Sequence, residues 1–228
     1  MKSDIAIPVS VSTTKTRPQV IWICLLAALA GLLFGLDIGV ISGALPLIAK
    51  EYSLIDSQQE WIVSSMMVGA AAATLCSGVL AYRLGRKYAL LIAAASFSTG
   101  AIFCTFATNV DMLIIGRLIL GIGLGVASYA TPLYLSEITP KNIRGAMISA
   151  YQLMIALGIL IVFLTNTAFS YSGNWRGMLL VVAIPSLVFL FGALFLPRSP
   201  RWLMMHGREE DAYVVLMRLR RSHEEVES

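Results

Sequence analysis

Two charged side chains stand inside stretches that are otherwise apolar, Asp37 and Arg117. A charge at the centre of a bilayer costs about 3 kcal/mol on insertion scales, so each needs a partner and each is a functional candidate. Arginine keeps its proton in proteins, so only the carboxylate of such a pair can switch. Proton uptake by Asp37 would release Arg117, which is the chemistry of a coupling site. The same two residues equally suit a permanent ion pair tying two helices together. A shared water-lined cavity would spare both the full cost of burial.

Helices must position them. Asp37 belongs to the run Gly31-Leu32-Leu33-Phe34-Gly35-Leu36-Asp37-Ile38-Gly39-Val40-Ile41-Ser42-Gly43. As a helix, this run brings Gly31, Gly35, Gly39 and Gly43 to one face, where a neighbouring helix can approach to backbone contact. Asp37 lies about 200° round from Gly35, nearly opposite that smooth face. Gly121, Gly123 and Gly125, close to Arg117, read as helix packing and not as a nucleotide loop, because no strand precedes them.

The 228-residue chain is 57% hydrophobic and 13% charged, against about 25% charged in soluble domains, and its mean hydropathy is +0.79. Its apolar runs are continuous and long enough to cross a hydrocarbon core about 30 Å thick, without the alternation of a β-barrel. Six spans are expected, at 20–43, 58–81, 88–107, 111–134, 147–168 and 175–196. They divide the chain into a polar leader (1–19), a six-helix transmembrane bundle (20–196) and a cytosolic helical linker (197–228). The first span is longer than a signal-peptide core and carries Asp37 in place of a cleavage site.

Short connections make successive helices antiparallel. Of the 17 Lys and Arg residues, all but Lys50, Arg176 and Arg117 fall on the leader, the loops after spans two and four, and the segment after span six. Lys and Arg collect on the cytoplasmic side, which places both termini there, in a cell (inner) membrane. At 1.5 Å per residue, Asp37 then lies about 25 Å and Arg117 roughly 21 Å above the cytoplasmic surface. Spans one and four open two groups of three, which implies a 3+3 inverted repeat, although no sequence repeat stands out. The net charge of +4 does not point to nucleic acid, because the basic residues cluster at span ends. Cys24, Cys76 and Cys104 lack metal-ligand spacing and read as small packing residues. Trp61 and Trp175 read as interfacial anchors. Ala212, Val215, Leu216 and Leu219 form the stripe of an amphipathic helix lying against the inner ends of the spans.

Three loops on the basic side carry motifs: Gly78-Val79-Leu80-Ala81-Tyr82-Arg83-Leu84-Gly85-Arg86-Lys87, Ser136-Glu137-Ile138-Thr139-Pro140-Lys141-Asn142-Ile143-Arg144-Gly145, and Pro197-Arg198-Ser199-Pro200-Arg201-Trp202. Together with Gly-Leu-Leu-Phe-Gly-Leu-Asp at 31–37 and Tyr151-Gln152-Leu153, they resemble the sugar porter family of the major facilitator superfamily, most nearly its bacterial proton-linked arabinose and galactose members. The resemblance runs from about Ala28 to Leu219 and covers the N-terminal half of such a protein, six spans of twelve. It implies an all-α membrane protein that carries a monosaccharide with a proton by alternating access. It implies no enzyme activity, cofactor or metal. The implied partners are sugar, proton, bilayer and a second six-helix half.

Residue by residue, the resemblance makes Asp37 the proton-binding carboxylate and Arg117 the arginine that answers it. Gln152 becomes a sugar-binding amide, able to donate to and accept from hydroxyls, and Phe34 an aromatic beside the sugar. Arg83, Arg86, Glu137 and Arg144 become a cytoplasmic gate. The sequence departs from the family at Tyr82, where an acid is common, at Arg198, where many relatives carry an acid or a polar residue, and at Ile159, where some have a second glutamine. Two readings stand beside symport: an uncoupled sugar facilitator with a structural ion pair, and a half-length membrane protein that does not transport.

Overall fold

The computed structural model describes residues 18–219, which form helices and no strands. Six helices are long and apolar enough to cross a membrane: α1 (Pro18–Tyr52), α2 (Asp56–Arg83), α3 (Arg86–Thr105), α4 (Val110–Ile138), α5 (Arg144–Ser170) and α6 (Trp175–Phe195). Two short ones follow, α7 (Pro200–Met205) and α8 (Glu209–Leu219). The leader expected over 1–19 falls almost wholly outside the described residues, as do Arg220 and Arg221.

The observed helices follow the expected spans except at two ends. α1 runs on past 43 to Tyr52 and α4 past 134 to Ile138, and each carries a proline in the added stretch or just before it, Pro46 and Pro132. Proline removes one backbone donor and crowds the preceding turn, so it reads as a stop. Membrane helices tolerate it because packed neighbours and local side chains satisfy the freed group.

α1 packs on α5 and α6, α4 packs on α2 and α3, and α3 packs on α6. Exchanging α1 with α4, α2 with α5 and α3 with α6 leaves that list unchanged, which is the signature of two inverted three-helix repeats. The correspondence holds at the level of residues. A Cβ on Gly35 would strike the Ile155 carbonyl and the Ile159 amide, and one on Gly158 the Leu32 carbonyl and Leu36 amide. In the other repeat, a Cβ on Gly121 would strike the Met66 carbonyl and Ala70 amide, and one on Gly69 the Leu118 carbonyl and Ile122 amide. One constant shift along the chain therefore pairs Gly35 with Gly121, Gly39 with Gly125, Pro46 with Pro132 and Glu51 with Glu137. The same shift also pairs identical residues at Leu32 and Leu118, Val40 and Val126, Ser42 and Ser128, Ala44 and Ala130, and Leu47 and Leu133, so the repeat is present in the sequence.

Three local expectations change. Trp175 is buried, not interfacial, whereas Trp61 is exposed as an anchor would be. Cys24 and Cys104 are buried packing residues, but Cys76 is exposed. The α8 stripe rests partly on α7, with Ala212 and Val215 against Trp202 and Leu203, while Val215 and Leu219 also reach the main core.

Replacing Gly35 with Ala is expected to force α1 away from α5 and to destabilise the bundle by about 1–3 kcal/mol. Gly145→Ala, where an added Cβ meets nothing within 4 Å, serves as the control. Thermal unfolding of both variants in detergent, followed by circular dichroism, checks this, and equal melting would contradict the crossing geometry.

Candidate functional site

Arg117 crosses from α4 to α1, where its Nη1 donates to Asp37 Oδ1 at 2.9 Å. The rest of the guanidinium is held by α2, with Nε donating to the Ile62 carbonyl at 3.4 Å and Nη2 to Met66 Sδ at 3.1 Å. Asp37 is 0% and Arg117 2% exposed, so the pair is sealed among helices and no water-lined cavity surrounds it. The α2–α4 crossing contributes to this, because Gly121, one turn from Arg117, holds the two helices in backbone contact at Met66. Asp37 Oδ2 is buried without a hydrogen-bond partner. The carboxylate therefore offers one engaged oxygen and one free to take a proton.

The repeat shows how this site is built. The position equivalent to Arg117 in α1 is Gly31, whose added Cβ would meet the Tyr151 carbonyl. The equivalent of that carbonyl is Ile62, which Arg117 Nε engages. One repeat thus fills with a hydrogen-bonding arginine the contact that the other closes with a glycine. Asp37, likewise, corresponds to Gly123.

Gln152 is exposed and Phe34 half-buried. Tyr151 packs on Gly31, which sets Gln152 about one helical turn nearer the basic end than Phe34. Both belong to faces that this chain leaves open: Ile38, one turn past Phe34, is exposed, and so is Leu153. Ile159 is half-buried beside the Gly35 crossing.

At the basic end, the loop motifs converge on one carboxylate. Arg86 Nη2 donates to Glu137 Oε1 at 2.7 Å, with side-chain exposures of 8% and 2%. Ser199 Oγ donates to Glu137 Oε2 at 2.5 Å. Ser199 also caps α7 by accepting from the Trp202 amide, and Trp202 Nε1 donates to the Tyr82 carbonyl at 2.7 Å. The Trp202 ring lies against Gly85, whose φ of +91° and lack of Cβ permit that turn. Of the four residues expected to form a gate, the structure brings together Arg86 and Glu137. Arg83 and Arg144 are exposed and make no ion pair among the described residues. Arg83 turns instead toward the seam of α3 and α6. Ser199 and Trp202 were not anticipated as members, although Ser followed by Pro at a helix start is a recognisable capping signal.

A matching cluster stands at the opposite end. Glu51, the counterpart of Glu137, accepts from Trp175 Nε1 at 2.5 Å and from Arg176 Nη1 at 3.1 Å. Arg176 also donates to Tyr52 and to the Ala107 carbonyl. Arg86 and Arg176 open α3 and α6, so the two clusters are related by the repeat.

The chain matches the family model described as "Sugar (and other) transporter" over residues 23–228. It is 56% identical over 204 residues to the galactose-proton symporter of Escherichia coli (strain K12), covering 90% of this chain and 44% of that protein. It is 54% identical over 215 residues to the arabinose-proton symporter of the same strain, covering 94% of this chain and 46% of the relative. Among solved structures, the major facilitator superfamily proton:xylose symporter XylE bound to 6-bromo-6-deoxy-D-glucose superposes with a TM-score of 0.84 at 30% identity, over 91% of this chain and 51% of that one. The chain thus spans about half the length of the curated relatives it matches. With its 3+3 helical repeat and its basic-end motifs, the architecture is that of the N-terminal half of a major facilitator fold, and the chain belongs to the sugar transporter family.

Proposed function

We propose that this chain is the N-terminal half of a proton-coupled monosaccharide symporter, working by alternating access in a bacterial inner membrane with both termini cytoplasmic. A second six-helix half completes the sugar site between the two bundles. The observation that carries the reading is the buried Asp37–Arg117 pair with one carboxylate oxygen unengaged. A proton taken from outside neutralises Asp37, weakens its hold on Arg117 and frees α1 from α4 for closure around the sugar. Release of that proton to the cytoplasm restores the pair. The Gln152 amide binds sugar hydroxyls from the open face of α5, and Phe34 lies beside the ring. The likeness to galactose- and arabinose-proton symporters supports a monosaccharide.

The Arg86–Glu137–Ser199 hub ties α3, α4 and the segment after α6 into one cytoplasmic unit that shuts this end while the other is open. Arg144, exposed and without an ion pair among the described residues, is left for an acid of the second half. The complete burial of Asp37 and Arg117 favours one alternative, an uncoupled facilitator whose pair is structural. Alkalinisation of the medium on sugar addition separates the two.

In a full-length context, Asp37→Asn is expected to abolish accumulation against a gradient while sugar exchange persists. Uptake into proteoliposomes with an imposed pH gradient measures this, and undiminished accumulation would refute the coupling role. Glu137→Gln leaves Arg86 without its counter-charge in a nearly closed site and is expected to cost about 3–5 kcal/mol of stability. Adding Arg86→Met to that variant should recover part of the loss in denaturant unfolding; no recovery would exclude an electrostatic origin.

A further inference from the structure

A groove of about 500 Å³ runs along the seam between α3 and α6. Its floor is apolar, formed by Leu91, Ile92 and Ala95 of α3 with Leu190 of α6. Ala95 lies nine residues beyond Arg86, so the floor reaches about 14 Å from the helix end. That is close to one leaflet of a hydrocarbon core about 30 Å thick.

The mouth of the groove has a different character. Arg83, Tyr88, Arg198 and Trp202 line it at the basic end. Arg198 is held in place by aromatics, with Nη2 donating to the Tyr88 hydroxyl at 3.1 Å and the guanidinium 5.2 Å and 5.7 Å from the Tyr88 and Trp202 rings. Arg83 has no hydrogen bond or ion pair among the described residues. Lys87 stands next to Tyr88 in the chain, its ammonium on the Leu194 carbonyl at 2.9 Å. No carboxylate lines the groove; Glu137 is engaged by Arg86 and Ser199, and Asp211 by Arg208.

Two guanidiniums without counter-ions among the described residues thus stand at headgroup height above an apolar trench one leaflet deep. We propose that this groove binds an anionic phospholipid, its phosphate between Arg83 and Arg198 and an acyl chain along Leu91, Ile92, Ala95 and Leu190. Basic pockets between membrane helices at the cytoplasmic side recognise acidic headgroups in this way. A free anion would use the mouth alone and leave the trench without an occupant. The departure at Arg198 from the acidic or polar residue of the family pattern acquires a role: the reversed charge faces lipid phosphate.

Native mass spectrometry of this chain in detergent tests the site, with dioleoylphosphatidylglycerol, dioleoylphosphatidylcholine or inorganic phosphate added. One phosphatidylglycerol is expected to stay bound under activation that strips phosphatidylcholine, and inorganic phosphate is expected not to displace it. Arg83→Gln and Arg198→Gln should each lower phosphatidylglycerol retention about fivefold, and Arg198→Lys should preserve most of it. Ala95→Phe fills the trench without touching the mouth, so it tests the acyl contact even where Arg198→Gln disturbs the Tyr88–Trp202 packing. Equal retention of the two lipids, displacement by phosphate, or full binding to Ala95→Phe would each overturn the proposal.

Discussion

Backbone contact between helices is the constraint on which this molecule rests. In a bilayer the lipid tails are as apolar as leucine, so helices associate by close packing and not by escape from water. The chain meets that requirement twice with the same device. Gly35 and Gly158 bring α1 against α5, and Gly121 and Gly69 bring α4 against α2. Each glycine faces a carbonyl on the partner helix three residues before the partner's own glycine. No side chain larger than hydrogen fits, and the two crossings fix the height and rotation of α1, which carries Asp37, and of α4 and α2, which carry and hold Arg117.

Against that symmetric scaffold, the charges are where symmetry is broken. Arg117 and Asp37 correspond to Gly31 and Gly123, so each repeat carries one charge and one glycine at related positions. The tightness that excludes water also deprives the pair of hydration, and Arg117 makes up the loss through the Ile62 carbonyl and Met66 sulfur. Asp37 receives no such second contact on Oδ2. The pair is thus satisfied on the basic side and incomplete on the acidic side, and the carboxylate is the only member that can change charge.

The two ends of the bundle use related carboxylates in different surroundings. Glu137 is closed off with Arg86 beneath Ser199, whereas Glu51 and Arg176 are each 43% exposed. An exposed pair contributes about 0–1 kcal/mol, but a buried one is costly to break because it leaves an uncompensated charge. The same sequence position therefore acts as a solvent-tuned brace at one end and as a hub at the other, where α7 and the Trp202–Gly85 contact cover it.

Much of the architecture was legible without coordinates. Run length and hydropathy determined six spans, the distribution of Lys and Arg determined which loops share a side, and glycine spacing on α1 determined its packing face. The isolation of Asp37 and Arg117 in apolar runs marked them as partners, because the energy of a bare charge in hydrocarbon is a property of the residue itself. Tertiary structure alone decided that helices continue through Pro46 and Pro132, since neighbours and not local propensity hold those turns. It alone decided that the pair is closed off from solvent, and that Glu137 gathers Arg86 and Ser199 while Arg83 and Arg144 stand apart. Those outcomes depend on which distant atoms come within a few ångströms, and that distance is set by the packing of whole helices, not by spacing along the chain.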